Sequence, residues 1–239
     1  MVRQHILITA ILFGIVAVVS LSAEAKPPAA GQALLSEAQT ELAGKNWQQA
    51  ADTLNKLIAL DPRWDYYQML GGAELNLGQY QEAVDTFDKG IAVVQADKKI
   101  PRAKLHAALA QMLTNKGNAF LKLKRNDEAV AAFKDAAGYS ANPGTAWFNI
   151  CATEYNIGDT ADAVATCDKA IAADPKKADA YFIKGSLMFA NGVLDKDNNY
   201  VAPAGTIEAL KKYLELAPDG AHSGDVHQML DYLNKPTKP

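Results

Sequence analysis

Residues 147–175 read WFNICATEYNIGDTADAVATCDKAIAADP, and this stretch decides the fold. Trp147, Ile150, Cys151, Gly158, Ala163, Cys167, Ala170 and Pro175 form a pattern of large and small residues. Such a pattern suits two antiparallel helices. They pack closely only where small side chains face each other, and large ones fill the space above and below. One hairpin of this kind cannot bury its apolar face alone, so the chain should carry further copies.

It does. Aligned on Ala163, equivalent alanines stand at Ala50, Ala83, Ala129 and Ala209. In every copy but the last, a large apolar residue lies 16 positions earlier: Leu34, Tyr67, Leu113 and Trp147. Four positions after the alanine come Leu54, Phe87, Phe133, Cys167 and Tyr213. Gly71, Gly117 and Gly185 take the small position of the first helix, with Cys151 and Ala38 in their place in other copies. Glycine inside a helix costs roughly 1 kcal/mol against alanine, so its recurrence implies close helix contact.

The pattern resembles the tetratricopeptide repeat, a helix–turn–helix unit of about 34 residues. The likeness runs from Leu34 to Leu233. It implies an all-α fold: a right-handed solenoid of about five repeats closed by a capping helix near residues 224–233. Two spacings depart from the repeat. Ala83 to Ala129 and Ala163 to Ala209 are each 46 residues, against 34 for Ala129 to Ala163. The first excess reads as two lengthened helices meeting near Asp97-Lys98-Lys99. The second places Val193-Leu194 opposite Tyr200-Val201, the signature of a small β-hairpin, with Pro203 starting the next helix.

Within the resemblance, Cys151 and Cys167 face each other across one hairpin. They read as a disulfide in an oxidising compartment, or as two reduced core thiols. Their spacing is not that of a Cys-x-x-Cys redox pair. The resemblance also implies a concave groove lined by the first helix of each repeat. Asn115, Asn118, Phe148, Asn149, Tyr155, Phe182 and Phe189 fall on its groove-facing positions. Asparagine amides there suit the backbone of an extended peptide, and the aromatics suit its apolar anchors.

The N-terminus is a different material. Arg3 is followed by a nearly unbroken apolar run over residues 6–21 and by Ala23-Glu24-Ala25. This is the form of a secretory signal cleaved after Ala25, and the run is shorter than the ~20 residues a spanning helix needs. The expected organisation is a signal at residues 1–25, a linker at 26–31, the repeat domain at 32–234 and a frayed tail at 235–239. The product is then exported, periplasmic or secreted, with no stable membrane insertion after cleavage. The net charge of -3 argues against nucleic acid, which needs clustered Lys and Arg.

No enzyme emerges. The glycines follow repeat positions rather than a phosphate loop, and no Ser-His-Asp or Cys-His set can be assembled. Asp195, Asp197 and Asn199 alternate like calcium ligands. The glycine and glutamate that such a loop requires are Tyr200 and Thr206 here. His222, Asp225 and His227 read as the start of the capping helix. No cofactor or metal is expected. The sequence therefore points to a module that binds a protein or peptide in its groove, as a scaffold or assembly factor. The alternative is a structural subunit of an envelope complex, working through its convex face or extended hairpin.

Overall fold

A computed structural model describes residues 29–196 and 199–234. The chain divides into two compact units, with the boundary between Ala141 and Asn142. The expected signal, the residues of the linker before Ala29 and the tail at 235–239 lie outside the described residues.

The described residues of the N-terminal unit form six helices: α1 (Ala29–Ala43), α2 (Trp47–Leu60), α3 (Trp64–Leu77), α4 (Tyr80–Ala96), α5 (Arg102–Lys122) and α6 (Asn126–Tyr139). Each packs on the next, and α3 also touches α5. α1 begins at Ala29, inside the stretch read as linker. Pro27-Pro28 sits just before it, and proline suits a helix start rather than a helix interior. α4 and α5 have 17 and 21 residues against 14 for α2 and α3. The extra residues of the first long spacing are thus helical, as the sequence implies.

The C-terminal unit holds α7 (Gly144–Ile157), α8 (Thr160–Ala173), α9 (Ala178–Ala190), the strands β1 (Val193–Leu194) and β2 (Tyr200–Val201), α10 (Thr206–Leu216) and α11 (Ser223–Leu233). The strands pair antiparallel, Val193 with Val201 and Leu194 with Tyr200. α10 starts at Thr206 and not at Pro203. Gly205 takes a left-handed conformation (φ +91°), which interrupts the helix, and the Thr206 hydroxyl donates to the Pro203 carbonyl at 2.6 Å.

The hairpins close where the sequence places its small residues. A Cβ on Gly71 would meet the Phe87 ring at 2.6 Å, and one on Gly117 would meet the Phe133 ring at 2.4 Å. Both rings are fully buried. In the fourth repeat the same pair of positions, 16 residues apart, is Cys151 and Cys167, joined as a disulfide with Cα atoms 5.0 Å apart. A covalent bond thus stands where the second and third hairpins press a ring against a glycine. In the fifth repeat Gly185 meets Leu210, while Tyr213 packs on Phe182.

Turn chemistry splits by repeat. Gly78 and Gly158 end α3 and α7 in the left-handed conformation (φ +79° and +83°), where glycine has no steric penalty. Lys45 and Lys124 hold the equivalent turns of the first and third hairpins at φ +58° and +60°.

Candidate binding surface

The first helices of the hairpins form one face in each unit: α7 touches α9 in the C-terminal unit, as α3 touches α5 in the N-terminal one. These are the helices that carry the residues expected to bind a partner.

In the N-terminal unit, Asn115 and Asn118 lie on α5 and are half-buried. Between them Lys116 pairs with Asp88 of α4 at 2.5 Å and lies over the Phe120 ring, 5.5 Å from its centroid. Its charge is thereby committed inside the unit. The amides of Asn115 and Asn118 make no hydrogen bond among the described residues.

In the C-terminal unit, Phe148, Asn149 and Tyr155 lie on α7, all half-buried. Lys177, just before α9, places its ammonium 4.4 Å from the Phe148 ring centroid. The Asn149 carbonyl accepts from the Thr153 hydroxyl at 2.6 Å, but its side-chain amide has no partner among the described residues. Phe148 and Tyr155 both pack against the core cluster of this unit. Burial raises the Tyr155 phenol above its ordinary pKa, and the charge of Asp225 adds to the effect, so the hydroxyl stays neutral and able to donate.

Phe182 is not an exposed anchor. It is 1% exposed, because the chain after α10 turns back and lays the His222 ring flat on it, centroids 3.9 Å apart. The Tyr213 hydroxyl fixes this return by accepting from the His222 backbone N–H at 2.9 Å. Phe189 belongs to an aromatic trio with Tyr200 of β2 (5.4 Å) and Tyr232 of α11 (5.8 Å). The Tyr200 hydroxyl also donates to the Phe189 carbonyl. Phe182 and Phe189 of α9 thus hold the C-terminal segment: the first packs on the chain's return at His222, the second on the hairpin and the last helix.

A buried polar pair recurs that the apolar pattern does not reveal. Glutamate stands nine residues before the aligned alanine, and threonine three after it, in three repeats: Glu41 and Thr53, Glu74 and Thr86, Glu154 and Thr166. Thr166 donates to the Glu154 carboxylate, and Thr86 hydrogen-bonds Glu74. These two pairs tie the first helix of their hairpin to the second; Glu41 and Thr53 share the spacing without such a bond among the described residues. The 12-residue spacing was available in the sequence, but only to a search for polar repeats.

Burial raises the Glu74 pKa; the Thr86 hydrogen bond opposes the shift, and the nearby charge of Glu82 adds to it. An acid with a raised folded pKa makes folding more favourable as pH falls through that value toward the unfolded one, and it costs stability above it. Glu74→Gln is therefore expected to raise the melting temperature at about pH 8 and to lose that advantage by about pH 4. Thermal unfolding at the two pH values checks this; equal gains at both would contradict it.

Asp195 accepts from the Asn199 backbone at 2.9 Å as part of the hairpin turn, and Asp197 lies outside the described residues. Among the described residues no group of three His, Cys, Asp or Glu is placed to hold a metal ion. None of their helices is long and apolar enough to cross a membrane.

The family profile described as tetratricopeptide repeat matches residues 35–99, 69–146, 114–178 and 152–197. No curated protein matches the chain. Several solved structures share its fold. YrrB, described as a TPR protein with an unusual peptide-binding site, superposes with a TM-score of 0.58 at 19% identity, over 82% of this chain and 90% of that one. MamA of Desulfovibrio magneticus RS-1 gives 0.62 at 18%, over 82% and 99%. PilF of Pseudomonas aeruginosa gives 0.61 at 15%, over 85% and 87%. At these identities the likeness is one of fold.

Proposed function

Because this chain belongs to the tetratricopeptide repeat family, we propose that it is a non-enzymatic interaction module whose first-helix face binds a peptide or protein segment. One observation carries the reading: Asn115, Asn118 and Asn149 are half-exposed on first helices, with amides that no described residue engages. An amide offers a donor and an acceptor at once, the pair an extended backbone requires. Phe148, with Lys177 against its ring, and Tyr155, with a neutral hydroxyl, flank Asn149 on α7 and supply the apolar contact. The peptide-binding site of YrrB, on a related fold, is consistent with this use.

The protein is exported on this reading. The signal-like N-terminus supports it, and so does the Cys151–Cys167 bond, which persists in oxidising compartments. A mature chain beginning at Lys26 on N-terminal sequencing is the expected result; one beginning at Met1 would contradict it.

Peptides selected from a random displayed library on the immobilised protein test the binding face. Truncating one of the few residues that dominate an interface costs about 2 kcal/mol or more. Phe148→Ala and Asn149→Ala are each expected to weaken the selected peptides by about tenfold or more, with unchanged helical content. Peptides that bind both variants as tightly as the parent would overturn the assignment.

A further inference from the structure

A cleft lies entirely within the N-terminal unit. It has a volume of about 410 Å³ and is lined by residues of α2, α3 and α4. Its polar lining is lopsided: Glu74, Glu82 and Asp85 face the single ammonium of Lys89. Ile58 and Leu70 supply apolar walls. Glu74 is the decisive member. It is 9% exposed, and its Oε2 is buried with no hydrogen-bond partner. Of its two repeat equivalents, the half-buried Glu41 carries an orphan Oε2 as well, while the buried Glu154 has none among the described residues; Glu74 alone of the three lines this cleft. A buried carboxylate oxygen left unpaired is costly, and the natural compensation is a cation with N–H donors.

We propose that this cleft binds a primary alkylammonium group, with its methylenes along Ile58 and Leu70 and its head on Glu74, Glu82 and Asp85. The chemistry favours this over an inorganic ion. These carboxylates are not grouped as metal ligands, whereas an ammonium has three donors that can serve separated acceptors. The apolar walls suit an alkyl stem, which a metal ion lacks. Two sources carry this group: a free diamine, or the lysine side chain of a polypeptide. The inference stands apart from the peptide-binding face, whose test uses residues of the other unit.

Titration of the full chain by amide NMR tests it, with cadaverine and N-acetyl-lysine amide as probes and sodium chloride as the control for ionic strength. Saturable shifts at Glu74, Glu82, Asp85 and Lys89 are expected with at least one probe. A stronger response to cadaverine identifies the diamine; a stronger response to the lysine derivative identifies a partner's side chain. Glu74→Gln is expected to weaken binding at least tenfold, and Lys89→Ala, which removes the competing ammonium, to tighten it. The Gln variant keeps the size of the side chain and one acceptor oxygen while removing its charge, and its melting curve shows separately that it is folded. Shifts no different from those with sodium chloride, or equal affinity in Glu74→Gln, would overturn the proposal.

Discussion

Gly71→Ala is expected to destabilise the protein, and Gly72→Ala, one residue further on, to stabilise it. Both glycines lie inside α3, so helix propensity alone favours alanine at each by roughly 1 kcal/mol. The surroundings differ. A Cβ on Gly72 meets nothing within 4 Å, so the propensity gain stands. A Cβ on Gly71 falls 2.6–2.9 Å from three atoms of the Phe87 ring. That ring is fully buried and cannot move aside without displacing the core. Overpacking of this kind costs about 1–3 kcal/mol, which outweighs the propensity gain over most of that range. Urea unfolding of the two variants measures both signs. Equal effects would mean that the hairpins do not close at the small positions.

Removing the disulfide is expected to cost about 3 kcal/mol. The bond closes a loop with a sequence separation of 16, and the chain-entropy model gives a staple of that span about this value. Cys151→Ala with Cys167→Ala also leaves space where other hairpins place a ring. The more instructive variant is Cys151→Gly with Cys167→Phe, which installs the pair found at Gly71 and Phe87 and at Gly117 and Phe133. It is expected to recover part of the loss that the alanine pair suffers. Unfolding midpoints of parent and variants, with and without reductant, check this. A parent midpoint unmoved by reduction would contradict the staple.

Much of the fold was legible because it repeats. The alanines at Ala50, Ala83, Ala129, Ala163 and Ala209 each fall within a second helix, and the pairs 16 residues apart meet as small against large. The hairpin of Val193-Leu194 with Tyr200-Val201 was legible from its flanking apolar pairs and polar centre. What the sequence hid is what breaks the repeat. Pro203 suits a helix start, yet Gly205 postpones it by adopting a conformation no periodicity records. Phe182 stands where the resemblance puts a groove residue, but the return of the chain through His222 covers it. That return is held by a hydrogen bond to the Tyr213 hydroxyl and by the Ser223 hydroxyl on the Ala217 and Gly220 carbonyls, contacts that no repeat spacing records. The glutamate–threonine pairs were periodic but polar, and an apolar alignment passes over them.

The binding face was legible only in part. The positions of Asn115, Asn118 and Asn149 followed from the repeat, and the structure leaves their amides uncommitted among the described residues. Of the four aromatics, Phe148 and Tyr155 remain partly open on α7, while Phe182 and Phe189 are engaged by the C-terminal segment. The uncommitted asparagine amides thus lie on α5 and α7, each in its own unit.

Hydrogen exchange with and without a library-selected peptide tests the central claim most directly. Slowed exchange is predicted over Gly144–Ile157 or Arg102–Lys122, the helices that carry the three asparagines. Slowed exchange confined to the second helices of the hairpins, with both of those segments unchanged, would contradict it.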